Sequence, residues 1–249
     1  MNLPNWLINI IDDPKLPWGK NVLGLKKKWN KRFLTDIKGV CFHQSAGNKS
    51  PYKINNYHIN PNHISPKGCP HICYTIVIDD KVYLCNNLDD IVWSQGTGKQ
   101  PGDENKYMLS VVIGGLYKSK YAPSALSPTK YQMDCIGEVW NWAKKEFNLT
   151  DGDIFGHFDF GKASCPGDDI EKFIKDVRSK EEVLLNTVED WQKALIDLGY
   201  YHEIIDGCWG YLSRKALVKF QKDHFVGSNG CFDRPTAWLL RKLLTKKNS

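Results

Sequence analysis

Five short runs of β-branched and aromatic residues limit the fold of this chain more than any other feature of its sequence. Turn-forming residues bound these runs, as expected for strands, and they occupy residues 39–43, 74–79, 82–85, 110–113 and 153–157. The second and third runs predict a hairpin that turns at Asp80 and Lys81. Because helical segments lie between and after the runs, we predict an α/β fold with a mixed central β-sheet flanked by helices.

Two helices are predicted in this first part of the chain. The longer helix starts at Pro128 with Ser127 as its cap, and its apolar residues recur at helical spacing. These residues are Met133, Ile136, Trp140, Ala143 and Phe147. The shorter helix covers residues 169–178 and closes the first domain, which we expect to span residues 1–180 with an N-terminal extension at 1–34.

The composition changes near residue 180, and a small all-α domain of three helices is predicted for residues 185–249. Thr187 and Asp190 have the spacing of a helix-capping pair. The stretches DGCWGYLSRKAL and NGCFDRPTAWLL repeat at an offset of 23 residues, and each is a turn that precedes a helix. Only SKEEVLLN separates the two parts, so they are either close-coupled or joined by a short linker.

The net charge of +6 favours an anionic partner, which could be nucleic acid, a membrane surface or an acidic wall polymer. No nucleic-acid recognition motif is present, so we expect no nucleic-acid partner. The N-terminus lacks the pattern of a signal peptide, and no apolar stretch reaches the roughly 20 residues of a membrane span, so we expect no stable membrane insertion. The basic cluster at residues 26–28, Lys31 and Arg32 is interpreted as a solvated face, with a specific anion site as the alternative.

A candidate metal site is carried by the stretch GHFDFGKASCPG. It places His157 and Cys165 eight residues apart and follows the cysteine with Pro166 and Gly167. The loop is long enough for both side chains to reach one point, and a catalytic zinc site takes three protein ligands with the fourth position open. The best third ligand is His43, at the end of the run 39–43. On spacing alone, a hydrogen-bonded structural role for His43 is an equal alternative.

Four stretches resemble the type 2 N-acetylmuramoyl-L-alanine amidase family, which includes phage lysozyme-like amidases and peptidoglycan recognition proteins. They are CFHQSAG, ICYTIVID, Asn105 ahead of MLSVVIGG, and GHFDFGKASCPG, and the resemblance covers residues 35–178. The sequence LGYYHEIIDGCWGYLSRKALVKFQKDH, followed by GCFDRPTAWLL, is similar to a peptidoglycan-binding module that is appended to wall hydrolases. Both parts of the chain therefore indicate peptidoglycan as the substrate.

The resemblance implies one zinc ion per chain, held by His43, His157 and Cys165, and cleavage of the amide between N-acetylmuramic acid and L-alanine. It also implies that Tyr74 stabilises the oxyanion. Lys162 is a candidate for contact with the carbonyl oxygen, with simple solvent exposure as the alternative. Two positions depart from the family pattern: Thr75 replaces a histidine found in many members, and Ala163 replaces a basic residue. The general acid and base are therefore not assigned.

Three further residues are candidates for contact with the substrate, each with a structural alternative. His58 matches a histidine that many members carry before the second strand, and it either supports the site or contacts the substrate. Trp93, in VWSQGTGKQPG, either lines the substrate groove or packs in the fold. Asn105 either orients the stem peptide or braces its own loop.

In the second domain, Asp206, Trp209 and Tyr211 are candidates for wall binding, although Asp206 and Trp209 also fit a purely turn-forming role. We expect a monomeric phage endolysin that accumulates in the host cytoplasm and reaches the cell wall when the membrane is breached. Two rivals stand beside this interpretation. One is a peptidoglycan-binding protein without hydrolysis, against which Cys165 argues, and the other is a zinc endopeptidase that cuts within the stem peptide.

Overall fold

The computed structural model describes residues 3–47, 49–62, 65–95, 104–181, 183, 185–224, 226 and 228–248. Its strands are β1 (Leu7–Asn9), β2 (Asn30–Lys31), β3 (Gly39–Gln44), β4 (Ile76–Ile78), β5 (Val82–Leu84), β6 (Asp90–Ile91), β7 (Met108–Ile113) and β8 (Ile154–Gly156). Its helices are α1 (Pro51–Ile59), α2 (Glu104–Tyr107), α3 (Lys130–Glu146), α4 (Asp168–Arg178), α5 (Val188–Asp197), α6 (Tyr211–Asp223) and α7 (Arg234–Asn248). Short 3-10 turns occur at Leu34–Asp36, Asp151–Asp153 and His157–Phe160.

Six strands form one sheet in the order β1-β5-β4-β7-β3-β8. Strand β3 pairs in parallel with both β7 and β8, and β4 pairs in parallel with β7. Strands β4 and β5 form the predicted antiparallel hairpin. The predicted mixed central sheet is thus confirmed. Because β3 and β8 are parallel neighbours, their carboxyl ends meet at the same edge of the sheet.

Helices cover both faces of this sheet, which confirms the predicted fold class. Successive side chains of a strand point to opposite faces, so Phe42 and Val111 pack in one core with α3 and α4, whereas Val112 packs in another with Ile54 of α1. Every residue of β3 and β7 is buried, as expected for central strands that are covered on both sides. His43 is therefore held in the interior by its position in β3.

The N-terminal extension is part of the α/β fold. Strand β1 adds an edge strand to the sheet by pairing in parallel with β5. Strand β2 pairs with β6 in a separate two-stranded sheet. Trp18 stacks on His71 with ring centroids 4.4 Å apart. The extension therefore packs against the segment that leads into β4.

Two expectations for the first part of the chain are wrong. The long helix is capped by Thr129 rather than Ser127, because the Thr129 hydroxyl accepts from the Gln132 N–H at 3.2 Å and Gln132 Oε1 accepts from the Thr129 N–H at 3.0 Å. Arg32 does not belong to a solvated face. It is buried, and its guanidinium donates to four backbone carbonyls, which removes it from the basic cluster.

The three C-terminal helices share a core of their own. Its fully buried side chains are Leu195 of α5, Leu217 and Phe220 of α6, and Leu240 of α7. Gly207 and Gly230, which the repeat aligns, have φ values of 68° and 66°. Only glycine adopts this backbone region readily, which explains why both copies carry it. Across the described residues, none of the helices is long and apolar enough to cross a lipid bilayer.

A buried glutamine holds each of the two repeated turns. Gln192 Nε2 donates to Asp206 Oδ1 at 2.7 Å and to the Ser213 hydroxyl at 3.1 Å, and its Oε1 accepts from the Gly207 N–H at 3.0 Å. Gln221 makes the matching bonds in the second copy. The groups that it contacts are Asn229 Oδ1, the Thr236 hydroxyl and the Gly230 N–H. The sequence repeat therefore encodes a repeated hydrogen-bond network.

Helix α7 packs against the α/β region next to β8. Arg241 forms a buried ion pair with Asp153, which immediately precedes that strand. The Arg234 guanidinium lies 4.0 Å from the ring centroid of Phe155, a residue of β8. The two parts of the chain are thus in direct contact.

Candidate metal centre

The carboxyl ends of β3 and β8 bring two histidines together. His43 is the next-to-last residue of β3, and His157 directly follows Gly156 at the end of β8. Phe42 and Gly156 are register partners in the parallel pairing, so the two histidines occupy neighbouring positions at the sheet edge. Their ring centroids are 4.5 Å apart.

Cys165 completes a cluster with these histidines. One possible ligand atom from each of His43, His157 and Cys165 lies within 4.8 Å of the others, and in the described part of the chain this is the one group of three or more such residues. Tetrahedral bonds of roughly 2.0 to 2.3 Å place ligand atoms about 3.5 Å apart, so the three residues would move slightly closer together around one shared ion. The structure therefore brings together the three residues that were predicted as metal ligands.

His43 is the residue that most clearly requires a partner. It is completely buried, and neither of its ring nitrogens has a hydrogen-bond partner among the described residues. A neutral imidazole carries one donor and one acceptor nitrogen, so burial of both without partners costs free energy. A metal ion would occupy the acceptor nitrogen. Two imidazoles and one thiol are a donor set that suits zinc.

A backbone carbonyl oxygen contacts the ring of His157 and fixes its orientation. Its Nε2 lies 3.0 Å from the Gln95 oxygen, which leaves Nδ1 as the nitrogen available for a metal. Asn105 braces this carbonyl, because its Oδ1 accepts from the N–H groups of Ser94 and Gln95 at 3.0 and 3.1 Å. Contact of Asn105 with the stem peptide stays a prediction.

The turn at Cys165 is held by Gln44 and by a glycine. The Gln44 N–H donates to Cys165 Sγ at 3.3 Å, and Gln44 Nε2 donates to the Ser164 carbonyl at 2.6 Å. Gly167 has a φ of +105°, and a Cβ at this position would lie 2.8 Å from Tyr117 Cβ. Both the positive φ and the close approach of Tyr117 therefore require glycine at position 167.

Burial controls the charge of all three candidate ligands. Desolvation lowers the pKa of His43 well below its ordinary value and lowers the pKa of His157 to about 4. Desolvation also raises the pKa of the Cys165 thiol to about 12, although the Gln44 N–H and the charge of Lys162 act in the opposite direction. The histidines are thus neutral at pH 7, which is the metal-binding form, whereas the thiol ionises only with a cation beside it.

Tyr74 lies beside the cluster, with its ring centroid 5.2 Å from that of His43. Burial raises the pKa of the phenol well above its ordinary value, so Tyr74 keeps its proton and can donate a hydrogen bond.

His58 Nδ1 accepts from the Cys73 N–H at 3.0 Å, which fixes the residue before Tyr74. Thr75 is fully buried, and its hydroxyl has no partner among the described residues. A substrate contact of His58 stays a prediction.

Lys162 and Trp93 both lie at the protein surface. The Lys162 carbonyl accepts from the Cys165 N–H at 2.9 Å, and the Lys162 N–H donates to the His157 carbonyl at 3.1 Å. Lys162 therefore belongs to the loop that joins the two ligands.

Trp93 contacts Trp29 edge to face, with centroids 5.1 Å apart. Residues 96–103, which complete its glycine-rich stretch, lie outside the described residues. The roles predicted for both side chains stay predictions.

The three candidate wall-binding residues differ in how the fold uses them. Asp206 Oδ1 accepts from the Cys208 N–H at 2.9 Å, and Trp209 packs on Phe232 with ring centroids 4.0 Å apart. Tyr211, the first residue of α6, is 78% exposed. Asp206 and Trp209 thus stabilise the turns, whereas the ring of Tyr211 is accessible to a partner.

Gln44 and Gln95 were not predicted from the sequence, although each orients a candidate ligand. Gln44 directly follows His43 and lies at the end of the same buried strand, so a signal for its role was present. Gln95 acts on His157 through its backbone carbonyl, which no side-chain pattern reveals.

No protein-family model and no curated protein matches this sequence. Several solved structures resemble it at low sequence identity. The endolysin N-acetylmuramoyl-L-alanine amidase LysCS from Clostridium intestinale URNW is 17% identical, with 68% of this chain and 93% of that chain covered and a TM-score of 0.46. The Ph2119 endolysin from Thermus scotoductus MAT2119 bacteriophage Ph2119 is 16% identical, with 69% and 98% covered and a TM-score of 0.48. PGRP-SA from Apis mellifera is 14% identical, with 68% and 94% covered and a TM-score of 0.49.

Proposed function

We propose that this protein is a zinc-dependent peptidoglycan hydrolase that cleaves the amide bond between N-acetylmuramic acid and the L-alanine of the stem peptide. The observation that carries the proposal is the pair of unpartnered ring nitrogens of buried His43, in one cluster with His157 and Cys165. Buried polar atoms in folded proteins nearly always have a partner, and a metal ion would supply one to the acceptor nitrogen of His43.

Zinc is the metal proposed for this cluster because two neutral imidazoles and one thiol match its preferred donors, and because three protein ligands leave one position open for chemistry. When bound, zinc polarises a carbonyl oxygen and lowers the pKa of a water molecule to about 7, which makes an unreactive amide open to attack near neutral pH.

The side chains of the protein supply orientation and charge. The Gln95 carbonyl, 3.0 Å from His157 Nε2, fixes the imidazole, and the Gln44 N–H at 3.3 Å stabilises negative charge on the Cys165 sulfur. Tyr74 retains its phenolic proton. It can therefore donate a hydrogen bond to the substrate oxygen that becomes negative as the carbonyl carbon turns tetrahedral.

Peptidoglycan is proposed as the substrate because two separate stretches resemble proteins that act on it. CFHQSAG and GHFDFGKASCPG contain the three proposed ligands, and the repeated turns of the C-terminal helices resemble a peptidoglycan-binding module. Wall binding by the helices would hold the site at its insoluble substrate and raise its effective concentration there. The same resemblance supports a monomeric phage endolysin that reaches the wall from the host cytoplasm.

Digestion of purified cell walls, followed by mass spectrometry of the fragments, tests this proposal. An amidase releases intact stem peptides that begin with free L-alanine, whereas shortened stems still attached to muramic acid would indicate an endopeptidase instead. We expect intact stems from the wild-type protein and neither digestion nor bound zinc in a Cys165→Ala variant. Cys208→Ala, which removes an exposed thiol of the helical part, is the matched control and should retain both. Wall digestion by a metal-free protein would refute the mechanism.

A further inference from the structure

Residues 21–25 form an ordered turn on the surface of the N-terminal extension. The Asn21 N–H donates to the Leu25 carbonyl at 2.9 Å. The Asn21 side-chain oxygen accepts from the N–H groups of Leu23 and Leu25 at 2.9 and 3.0 Å. Gly24 has a φ of +75°, which glycine adopts readily. These bonds fix the conformation of the turn without any contribution from its apolar side chains.

The base of this turn is anchored to the body of the protein. Lys20 and Lys26 form an antiparallel bridge across it. The Gly19 N–H donates to the Pro70 carbonyl at 2.8 Å, and the Lys27 N–H donates to the Gly19 carbonyl at 2.8 Å. The turn is therefore a preorganised projection, and a partner that binds its tip has little backbone entropy to remove.

The tip presents three aliphatic side chains to solvent. Val22 is fully exposed, and Leu23 and Leu25 are 77% and 61% exposed. Single exposed aliphatic residues are common on protein surfaces, but a cluster of them in one ordered turn marks an interaction site. Because the turn holds its shape through backbone bonds and Asn21, packing within the fold does not explain these three residues.

The surroundings of the tip are strongly basic. Residues 14–35 contain seven basic residues and no acidic residue. Lys31 is paired with Asp90, and Arg32 is buried, so neither contributes to this surface. Lys20, Lys26 and Lys28, which flank the tip in the sequence, are exposed, and the Lys26 ammonium lies 4.1 Å from the ring centroid of Trp18. An aliphatic tip with lysines on both sides of it in the sequence fits a partner that is apolar inside and anionic at its surface.

We propose that residues 20–28 bind reversibly to the surface of a lipid bilayer that carries anionic headgroups. Val22, Leu23 and Leu25 enter the interfacial layer of the bilayer, while Lys20, Lys26 and Lys28 contact phosphate groups. This combination of a small apolar surface with adjacent lysines is the pattern of peripheral, non-spanning membrane binding. A polyanion such as nucleic acid satisfies the lysines but offers no apolar phase to three aliphatic side chains.

Co-sedimentation of the full-length protein with vesicles tests this proposal without any measurement of hydrolysis. One vesicle type contains phosphatidylglycerol and phosphatidylcholine in equal parts, and the other contains phosphatidylcholine alone. We expect the protein to bind the anionic vesicles at least about tenfold more strongly, and high salt to remove most of this preference. The Cys165→Ala variant should bind in the same way, so a failure of the proposed hydrolysis and a failure of membrane binding are separate results.

The aliphatic tip is tested by a triple variant with Val22→Ser, Leu23→Ser and Leu25→Ser, which should bind anionic vesicles about tenfold more weakly. Ile204→Ser is the control, since Ile204 is 80% exposed on the C-terminal part and residues 200–208 contain no lysine. A second variant, Lys20→Gln with Lys28→Gln, should lose about tenfold on anionic vesicles and little on neutral ones.

Three outcomes overturn the proposal. The first is that the wild-type protein fails to sediment with anionic vesicles, and the second is that the triple serine variant sediments as strongly as the wild type. The third is that the wild-type protein forms a concentration-dependent dimer that the triple variant abolishes, because a dimer would then account for the exposed tip. Far-ultraviolet circular dichroism of the variants excludes unfolding as the cause of lost binding. The serine and glutamine substitutions are all at exposed side chains, so we expect the native spectrum for these variants.

Discussion

Two fully buried polar side chains, one in the α/β region and one in the C-terminal helices, differ in their hydrogen-bond partners. His43 and Gln192 are both completely buried. The amide of Gln192 donates to and accepts from the turn that it holds, with bonds to Asp206, Ser213 and Gly207. The imidazole of His43 has no hydrogen-bond partner among the described residues.

Burial alone therefore does not separate a structural polar residue from a functional one. Gln192 stabilises the fold, because all its capacity is used within the chain. His43 instead carries an unsatisfied group in a cluster of metal-binding residue types. If this contrast is correct, removal of His43 should abolish function, and removal of Gln192 should reduce stability and leave the metal in place.

The largest effect is expected from His43→Ala. Loss of one of three ligands should weaken zinc binding by more than about 100-fold, since loss of a hydrogen-bonding partner of a ligand already costs about 10- to 100-fold. Wall lysis should disappear with the zinc. Elemental analysis after dialysis and the turbidity of a wall suspension measure the two effects. His202→Ala, a change at an exposed histidine, is the control and should have no effect. Full zinc occupancy in His43→Ala would show that His43 is not a ligand, and it would remove the contrast between His43 and Gln192.

The next effect is expected from Gln192→Ala. Several buried groups would lose their partners, so the free energy of unfolding should fall by about 3 kcal/mol. Urea denaturation followed by circular dichroism measures the change, and zinc content should equal that of the wild-type protein. Lys193→Ala, at the next and exposed position of the same helix, should change the stability by less than about 0.5 kcal/mol. An unchanged unfolding midpoint for Gln192→Ala would contradict the structural role.

Asn105→Ala tests a buried residue that acts one step away from the metal cluster. Its oxygen holds the N–H of Gln95, whose carbonyl orients His157. We expect zinc affinity about tenfold lower, as for other groups that support a ligand. Competition with a chelator measures this affinity, and Asn60→Ala at an exposed site is the control. A loss of stability with unchanged zinc affinity would show that Asn105 serves the fold alone.

The smallest effect is expected from Tyr211→Ala in the helical part. The ring is exposed, so its removal should leave stability within about 0.5 kcal/mol of the wild type. One lost aromatic contact should weaken sedimentation with purified walls by about fivefold. Tyr121→Ala removes an exposed ring of the α/β region and is the matched control. Equal sedimentation of both variants would remove Tyr211 from the wall-binding surface.

Five of the six strands of the central sheet, and the loop that carries His157 and Cys165, could be predicted from the sequence because their signals are local. The run 39–43 is continuous and apolar, and its observed strand ends one residue later. His157 and Cys165 lie in one short loop, so their convergence requires no knowledge of distant parts of the chain. The position of His43 at the end of a buried strand left a structural role as an equal alternative, and the family resemblance implied that it is a ligand. Parallel pairing of the strands places it beside His157.

Other features could not be predicted because they depend on long-range contacts or on very short elements. Strands β1 and β2 have three and two residues, too few to show an alternating pattern. The burial of Arg32 depends on carbonyls more than 50 residues away. The bond between His157 and Gln95 joins residues 62 positions apart through a backbone atom. None of these contacts leaves a pattern in the neighbouring residue types.

X-ray absorption at the zinc edge of the purified, zinc-loaded protein tests the central claim most directly, because it identifies the atoms bound to the metal. The structure predicts one sulfur at about 2.3 Å and two imidazole nitrogens at about 2.0 to 2.1 Å, with one further light atom that does not belong to a protein side chain. A shell without sulfur, or with more than one sulfur, would contradict a site built from His43, His157 and Cys165.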